Sequence, residues 1–368
     1  MAITLQEQDN GVTVYQVTEN PGIKSNIYCE ISWCSADSRY FVFDQQTGDG
    51  ARNPSEYILC EFGTWKTERL GEGIRPTMSH TGIFYYRTRT ENGVQELRCV
   101  DLATGVQDAL WEFPEDFQPR GWVAVSRDER YLVYGTLVSY DPQHFTIERV
   151  DRQAGVTETL YEDPDIWNPH TQFEPGKGRS VLVQHNRGSQ FGADGTRILR
   201  YGPEGNTIFI LDVETGEVTR LQLGRPHTPG TTGHEAWIGD TGEILVSVHP
   251  DDDFTVEKGN LLAVGPDQPA RVVSRGYHFL HVGTSVCGRF FSCDDRPTTD
   301  VVIGSIATGK TAVICCSETS FGAEQYTHPH PYLSPDLKWV VFSSDRSGEP
   351  QLHAARVPSD IVEGLAQA

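Results

Sequence analysis

Two histidines separated by one proline stand near the end of the chain, in the stretch EQYTHPHPYLSPDLKWVVFSSD. Side chains at positions i and i+2 of an extended segment point to the same side, and Pro329 biases the residue before it towards extended geometry. We therefore expect His328 and His330 to aim at one point, with Gln325 a short distance upstream. Imidazole nitrogens together with an amide oxygen form a ligand set for a borderline divalent ion such as manganese, zinc or iron.

The segment that follows these histidines, LSPDLKWVVFSSD, is a turn and then a hydrophobic strand, and it recurs along the chain. Its relatives are CSADSRYFVFDQ, MSHTGIFYYRT, VSRDERYLVYGT, EPGKGRSVLVQH, IGDTGEILVSVH and SVCGRFFSCDD. Between them lie strand pairs joined by short turns rich in Asp, Thr and Gly, such as ILDVETGEVTRLQL, which are hairpin signals. Two hairpins in each period of about 40 to 50 residues are typical of a β-propeller blade. The sequence therefore predicts an all-β fold, a seven-bladed β-propeller.

The two ends of the chain predict how the ring closes. After WVVFSSD there is room only for QLHAARVPSD and a short tail, so the last blade lacks an outer strand. The N-terminal segment GVTVYQVTE resembles the missing strand, and we expect residues near 12–20 to complete the last blade. Residues 1–368 are then expected to form a single propeller domain. The longest gap between repeats holds NRGSQFGADGTRILRYGPEGN, which is either a functional loop or a plain surface excursion.

The repeat gives histidines a common register. Six residues before the turn, four consecutive blades carry a histidine: His170, His234, His281 and His330. Other blades have Trp122 or Ile31 at this position, so the blade itself does not require histidine. Equivalent positions at the start of the innermost strands surround the central channel on one face, where these side chains should converge. The alternative for any one histidine is a core or capping role, but the common register favours a shared polar site.

Composition limits the partners of the protein. A formal net charge of −21 argues against nucleic acid or an anionic membrane surface, although one metal ion or a few arginines could still attract a small anion. We expect no signal peptide, and no apolar stretch approaches the roughly 20 residues of a spanning helix. Eight scattered cysteines without a C-x-x-C pair predict reduced thiols and a cytoplasmic location. The chain has no G-x-S-x-G, P-loop or G-x-G-x-x-G motif.

Four blocks of the sequence resemble the oligogalacturonate lyases of polysaccharide lyase family 22. They are THPHPYLSPDLKWVVFSSD with Gln325 ahead of it, TGHEAWIGDTGEILVSV, FLHVGTSVCGRFFSCDD and, in outline, WNPHTQFEPGKGRSVLVQHNRG. The Q-x-x-H-x-H block is the most specific of them. The resemblance implies a seven-bladed propeller that binds manganese, usually lies in the cytoplasm and takes part in pectin degradation.

The resemblance also implies roles for individual residues. The family's metal ligands fall on His281, Gln325, His328 and His330. The histidine proposed as the base falls on His234, and His170 and His185 are alternative bases from the preceding blade.

One functional residue of the family does not carry over. Its catalytic arginine matches a position at about Asn206 or Thr207 of this chain. Arginines of the inserted segment could replace it, and Arg200, Arg197 and Arg187 are the candidates. The exact uronate substrate therefore stays open.

The implied reaction is β-elimination in an acidic oligosaccharide. Metal coordination of the C6 carboxylate stabilises the enolate-like intermediate, and a neutral imidazole close to C5 takes the proton. Loss of the substituent at C4 then leaves a 4,5-unsaturated sugar. Two alternatives stay open: a lyase that acts on another uronate linkage, such as glucuronate, and a non-catalytic metal-bearing propeller that serves as a binding module.

Overall fold

The turn-and-strand repeats form the antiparallel sheets of a β-propeller, in which seven blades follow one another along the chain. The structure is a computed structural model, and it describes residues 3–47, 54–115 and 117–367. The predicted seven-bladed, all-β fold is confirmed. The prediction of a single domain over residues 1–368 stays a prediction.

Blades 1 to 3 occupy the first half of the chain. Blade 1 consists of β3 (Lys24–Ser25), β4 (Tyr40–Gln46), β5 (Ser55–Glu61) and the first part of β6 (Thr67–Met78). Blade 2 consists of the rest of β6, β7 (Ile83–Arg89), β8 (Gln95–Asp101) and β9 (Gln107–Glu112). Because the two blades share β6, their hydrogen bonds join them into one sheet. Blade 3 consists of β10 (Pro119–Val125), β11 (Tyr131–Tyr140), β12 (Gln143–Asp151) and β13 (Val156–Asp163).

Blades 4 to 6 follow the same plan, with one insertion. Blade 4 consists of β14 (Gln172–Phe173), β15 (Ser180–Asn186), β18 (Asn206–Asp212) and β19 (Val218–Arg220). The inserted segment forms a separate hairpin of β16 (Gln190–Phe191) and β17 (Arg197–Leu199). Blade 5 consists of β20 (Thr231–Trp237), β21 (Ile244–Val248), β22 (Leu261–Val264) and β23 (Arg271–Ser274). Blade 6 consists of β24 (Phe279–Thr284), β25 (Phe290–Asp295), β26 (Asp300–Ser305) and β27 (Thr311–Cys316).

Blade 7 is built from both ends of the chain. Its strands are β28 (Tyr332–Leu333), β29 (Trp339–Ser344), β30 (Gln351–Arg356), β2 (Thr13–Gln16) and β1 (Ile3–Glu7). β2 pairs antiparallel with β30, in the register Thr13 to Arg356 and Gln16 to His353. The predicted closure by the N-terminal strand is therefore confirmed, and β1 adds an exposed fifth strand outside it.

The two middle strands of each of blades 4 to 7 are buried on both faces, because each blade packs between two neighbours. β15 and β21, with the sequences SVLVQHN and ILVSV, have nearly all of their side chains buried. Between blades 4 and 5, the core includes Leu182, Ile208 and Trp237. Two-sided burial explains why these strands appear in the sequence as continuous apolar runs and not as alternating patterns.

Side-chain hydrogen bonds link the innermost strands of neighbouring blades. Trp122 Nε1 in blade 3 donates to the Thr171 carbonyl at the start of blade 4, at 2.7 Å. Ser32 Oγ in blade 1 donates to the Leu333 carbonyl in blade 7, also at 2.7 Å. These contacts fix the relative heights of the innermost strands, including the pair at which the ring closes.

Two short helices complete the described chain. A 3₁₀ helix, Gln325–Thr327, lies in the loop that leads into blade 7, and α1 (Ser359–Ala366) packs its buried Leu365 on blade 6. Neither of these helices, the only ones in the described ranges, is long and apolar enough to cross a membrane.

Candidate metal centre and active site

Four histidines from blades 5, 6 and 7 lie against one another where the innermost strands begin. The ring of His281 is central: its centroid lies 4.4 Å from that of His234, 4.1 Å from that of His330 and 5.1 Å from that of His328. One nitrogen from each of His234, His281 and His330 can be chosen so that all three lie within 4.8 Å of one another. The structure therefore brings together three of the four histidines that the repeat register aligned, with His328 from the loop that enters blade 7 beside them, and we call His234, His281, His328 and His330 the histidine cluster.

Asp294 orients the central imidazole of the cluster. Its Oδ2 lies 2.6 Å from His281 Nδ1, and its Oδ1 accepts the His281 backbone N–H at 3.0 Å. Burial raises the pKa of Asp294 to about 7. When this carboxylate is ionised, it holds the ring proton on Nδ1 and leaves the Nε2 lone pair free. A carboxylate behind a histidine is the usual outer partner of a metal ligand, because it fixes the tautomer and the ring orientation.

His328 presents a second free lone pair to the same place. Its Nε2–H donates to the Gly322 carbonyl at 2.9 Å, so its Nδ1 carries no proton in the neutral ring. This Nδ1 lies 3.3 Å from His281 Nε2. Neither nitrogen of the pair has a proton to donate, so the two lone pairs repel each other. A cation bound by both would remove that repulsion.

A chain of hydroxyl groups determines which nitrogen of His234 carries the proton. Ser247 Oγ donates its only proton to the Leu280 carbonyl at 2.7 Å. Thr232 Oγ1, 2.5 Å from Ser247 Oγ, must therefore donate to Ser247. Thr232 can then only accept from His234 Nδ1, which lies 2.9 Å away. His234 Nε2 is left unprotonated, as is His281 Nε2.

His330 occupies a strained position in the cluster. Its backbone has φ of +44°, in the left-handed region, where a non-glycine residue costs about 1–3 kcal/mol. The side chain is buried, and its Nε2 has no hydrogen-bond partner among the described residues. An orphaned imidazole nitrogen beside three free lone pairs fits a metal ligand, so the residues present suit a divalent ion.

Burial keeps the buried rings of the cluster neutral. It lowers the pKa of His234, His281 and His330 well below the ordinary imidazole value. The charged forms of neighbouring histidines lower each pKa further, and for His234 the charge of Arg200 adds to this effect. A neutral imidazole is the form that binds a metal or accepts a proton.

His170 belongs to a different polar group beside the cluster. Its Nδ1 lies 3.5 Å from Glu30 Oε1 and 3.6 Å from Glu235 Oε1, and both carboxylates are buried. Burial lowers the pKa of His170, but the two carboxylates outweigh this and raise it to about 10. Burial raises the pKa of Glu30 to about 7. At neutral pH His170 is thus an imidazolium, which cannot accept a proton, and this separates it from His234.

Two further predicted site residues, Gln325 and His185, also lie outside the cluster. Gln325 begins the 3₁₀ helix and is exposed, and its side chain makes no hydrogen bond to a histidine in the described part of the chain. His185 lies on β15, the second strand of blade 4, with its Nε2 3.1 Å from Asp163 Oδ1 and its Nδ1 3.3 Å from Arg220 Nη1. His185 is therefore held by Asp163 of blade 3 and Arg220 of blade 4, while the role of Gln325 as a ligand stays a prediction.

The three candidate arginines have different surroundings. Arg187 forms an ion pair with Glu204, and the Arg197 guanidinium lies 5.2 Å from the centroid of an indole ring. Arg200 is exposed, and its charge contributes to the lowered pKa of His234. Of the three, Arg200 is the one whose charge acts on the histidine cluster.

The site also contains Tyr28, Glu30 and Asp294, which were not predicted from the sequence. The ring centroid of Tyr28 lies 4.7 Å from that of His330. Tyr28 and Glu30 come from the innermost segment of blade 1, where the polar and aromatic residues of KSNIYCEISW are the available signal. For Asp294, the signal is the pair of carboxylates that ends the buried strand FFSCDD.

The fold and the site together define a β-propeller with an imidazole-rich centre whose free lone pairs suit a divalent cation. Comparison with known proteins narrows this class. The chain is 23% identical to the oligogalacturonate lyase of Dickeya dadantii, an alignment that covers 97% of this chain and 96% of the relative. It is 25% identical to the oligogalacturonide lyase of Pectobacterium atrosepticum, with the same coverage of 97% and 96%. No protein-family model matches the chain.

A solved structure shows the same fold. It is an oligogalacturonate lyase in complex with manganese, which superposes with a TM-score of 0.75 at 17% identity, over 98% of this chain and 97% of its own. The resemblance to oligogalacturonate lyases that the histidine blocks indicated is therefore confirmed along nearly the whole chain.

Proposed function

We propose that this protein is a metal-dependent lyase that cleaves uronate oligosaccharides, with oligogalacturonates as the first candidates, by β-elimination. The observation that carries this proposal is the histidine cluster, in which the protons of three rings are held away from one shared point and the fourth ring has an orphaned nitrogen. The names of the two curated relatives support the same activity.

His281, His328 and His330 are the proposed protein ligands of a divalent ion, with Gln325 as the fourth. These ligands are neutral, so a bound ion would keep its full charge for a carboxylate, even in a chain of net charge −21. Manganese is the preferred ion, because an amide oxygen suits it and a structurally similar lyase binds it. Such an ion would supply Lewis-acid stabilisation of the charge that develops on the C6 carboxylate.

His234 is the proposed base. Its Nε2 is unprotonated, and its Nδ1–H is fixed by Thr232. In the reaction, Nε2 takes the C5 proton and the C5–H electrons form the C4=C5 double bond. The C4–O bond breaks, and the leaving oxygen keeps its electron pair and takes a proton from water. The lowered pKa of His234 means that its imidazolium form releases the proton readily after turnover.

Arg200 is the proposed replacement for the arginine that does not carry over. The matching positions, Asn206 and Thr207, are buried in β18 and carry no charge. Arg200 lies on the segment after β17 and acts electrostatically on His234. Because a guanidinium recognises carboxylates through paired N–H donors, Arg200 would bind the acidic group of the sugar.

Because of this change at the arginine position, one alternative activity is retained. A lyase with a relocated arginine could prefer another uronate linkage, such as that of glucuronate. The chemistry at the histidine cluster would be the same, and the difference would lie in which hydroxyl configuration the surrounding side chains accept.

A panel of uronate oligosaccharides tests the proposal. The manganese-loaded protein is mixed with galacturonate and glucuronate oligomers, and the ultraviolet absorbance of the C4=C5 product is followed. We expect absorbance to rise with galacturonate oligomers and to stop when a chelator removes the metal. A rise only with another uronate would change the substrate, and a metal-bound protein inactive on every member would indicate a binding module.

We also propose a cytoplasmic location. All eight cysteines are free thiols, and five of them are buried: Cys29, Cys34, Cys60, Cys293 and Cys315. Free thiols suit a reducing compartment. Cell fractionation with detection of the native protein would test this location.

A further inference from the structure

A cavity of about 420 Å³ lies beside the histidine cluster, on the side of blades 1 to 3. Its walls include the register residues of these three blades, Ile31, Ile74 and Trp122, which correspond to the histidines of blades 4 to 7. Two arginines, Arg75 and Arg87, and two carboxyl groups, Glu30 and Asp44, also line it. Burial raises the pKa of both carboxyl groups, that of Glu30 to about 7. We call this space the arginine cavity, and it continues the ring of register positions at the same depth.

Aromatic side chains connect the arginine cavity to the histidine cluster. Tyr28 lines the cavity, and its ring centroid lies 4.7 Å from that of His330 and 5.9 Å from that of His234. Trp122 also lines it, with its ring 6.4 Å from that of Tyr28. A sugar bound at the cluster therefore has the rings of Tyr28 and Trp122 beside it, and the next sugar of the chain can lie across them.

Arg87 is a buried cation at the far wall of this cavity. Its residue exposure is 6%, and its Nε has no hydrogen-bond partner in the described ranges. β6 pairs with β7 so that Arg87 lies opposite Ile74. Ile74 is the residue that precedes Arg75 in the chain. Burial lowers the pKa of Arg87 to about 10, and the charge of Arg75 contributes to this shift.

This arrangement costs free energy in the free protein. A buried charge is unfavourable unless a partner compensates it. Arg87 Nε is unpaired among the described residues, and the Phe117 ring centroid lies 5.6 Å from the guanidinium carbon. A carboxylate can accept two N–H donors of a guanidinium at once. A ligand that carries a carboxylate would therefore relieve the cost and gain a charge-assisted hydrogen bond.

We propose that the arginine cavity is a second subsite, which binds a further uronate residue of the same oligosaccharide, with Arg87 and Arg75 at its carboxylate and Tyr28 and Trp122 against its ring. This inference rests on the proposed function, since the acidic oligosaccharide is the ligand of both sites. It makes Arg87 a specificity-determining residue: it selects chains whose neighbouring sugar is also acidic.

The test separates binding from turnover. A galacturonate trimer is titrated by calorimetry into metal-depleted wild-type protein and into Arg87→Gln and Arg75→Gln variants. A hydrogen bond to a charged group is typically worth about 1.5–3 kcal/mol, so we expect Kd to rise roughly 10- to 100-fold in Arg87→Gln. KM of the manganese-loaded variant should rise by a similar factor, while kcat changes far less. The matched control, Arg39→Gln, removes an exposed arginine of blade 1 and should leave both constants unchanged.

Thermal unfolding shows whether a variant reports on binding or on folding. A purely structural arginine would lower Tm when it is replaced, whereas removal of an uncompensated buried charge should keep or raise Tm. If Arg87→Gln does not fold, Arg87→Lys can be used instead. Lysine keeps the positive charge but lacks the paired N–H donors of a guanidinium, so Kd should still rise.

The outcomes distinguish this inference from the proposed function. Kd and KM equal to those of wild type in folded Arg87 and Arg75 variants would overturn the subsite, even if the protein is an active lyase. Conversely, trimer binding that depends on Arg87 in a protein that forms no unsaturated product would retain the subsite and reject the lyase.

Discussion

The two sides of the propeller ring use the same backbone position for different chemistry. At the register six residues before the turn, blades 4 to 7 carry only histidine, whereas blades 1 to 3 carry Ile31, Ile74 and Trp122. In blades 5 to 7 the histidines present free lone pairs at one point, whereas His170 of blade 4 is an imidazolium between two carboxyl groups. The other side holds two arginines and two carboxyl groups, Glu30 and Asp44, beside aromatic and apolar residues. The repeat fixes where a side chain enters the channel, and the residue type decides whether that place binds a cation or an anion.

Side chains from neighbouring strands add to this chemical difference between the two sides of the ring. On the histidine side, Asp294 from the second strand of blade 6 and Thr232 from the innermost strand of blade 5 fix the ring tautomers. On the other side, Arg87 reaches the channel from the second strand of blade 2. The chemistry at a register position therefore depends on the residues that contact this position as well as on the residue that occupies it.

Removal of a ligand histidine should give the largest effect. We expect His330→Ala and His328→Ala to lose both the bound manganese and the lyase activity, because each removes a nitrogen of the shared point. Metal content of purified protein and product absorbance measure the two effects. His144→Ala, which changes an exposed histidine of blade 3, is the matched control and should keep its metal. Full metal occupancy in His330→Ala would remove it from the ligand set.

Replacement of the base should be the next largest effect. We expect His234→Ala to lower kcat by about 10²- to 10⁴-fold, the usual contribution of a general base, with metal retained. The pH–rate profile should also lose the limb that belongs to imidazole. If His234→Ala loses the metal instead, His234 is a ligand and the base lies elsewhere.

The outer carboxylate of the histidine side should have a smaller effect. Asp294→Asn keeps the shape of the side chain but no longer favours the Nδ1–H tautomer of His281. We expect manganese affinity to fall about 10- to 100-fold, as is usual for outer partners of metal ligands, and a titration with manganese measures it. Asp295→Asn, the adjacent carboxyl, contacts no histidine ring of the cluster among the described residues and should bind manganese as wild type does. Equal affinities in the two variants would show that Asp294 has no such role.

The smallest expected effect is on the pH dependence of Tm. It concerns His170, which lies between the histidine side and the arginine side of the propeller ring. Its folded-state pKa of about 10 lies above the ordinary value of 6.5. Its contribution to stability is therefore complete below pH 6.5 and is lost as the pH rises through 10. In metal-free protein, Tm of wild type should fall more steeply than Tm of His170→Gln between these two pH values. Parallel Tm curves would mean that Glu30 and Glu235 do not hold a charged His170.

The sequence predicted the part of the site that follows the repeat. His281 and His330 could be placed because the turn motif fixes the register of each innermost strand, and His328 follows from the two-residue spacing. His185 lies one strand further out, on β15, so the register did not apply to it.

The remaining residues depend on contacts that the repeat does not encode. Tyr28 and Glu30 lie in the innermost segment of blade 1, where only the two-residue strand β3 is regular before the first turn. Asp294 reaches His281 across a strand pair with a register shift between Phe279 and Val282, which no sequence pattern reveals. The arginine cavity joins residues of three blades, and their approach is a property of the assembled ring.

Pulsed electron paramagnetic resonance of the manganese-loaded protein tests most directly whether the histidine side is a cation site. Coupling between manganese and imidazole nitrogen can be read from the spectrum without reference to activity. We expect nitrogen couplings in wild type and in Arg87→Gln, and their loss or reduction in His281→Ala. Bound manganese that shows no imidazole coupling in wild type, or couplings unchanged in His281→Ala, would contradict the division of the ring into a cation-binding and an anion-binding side.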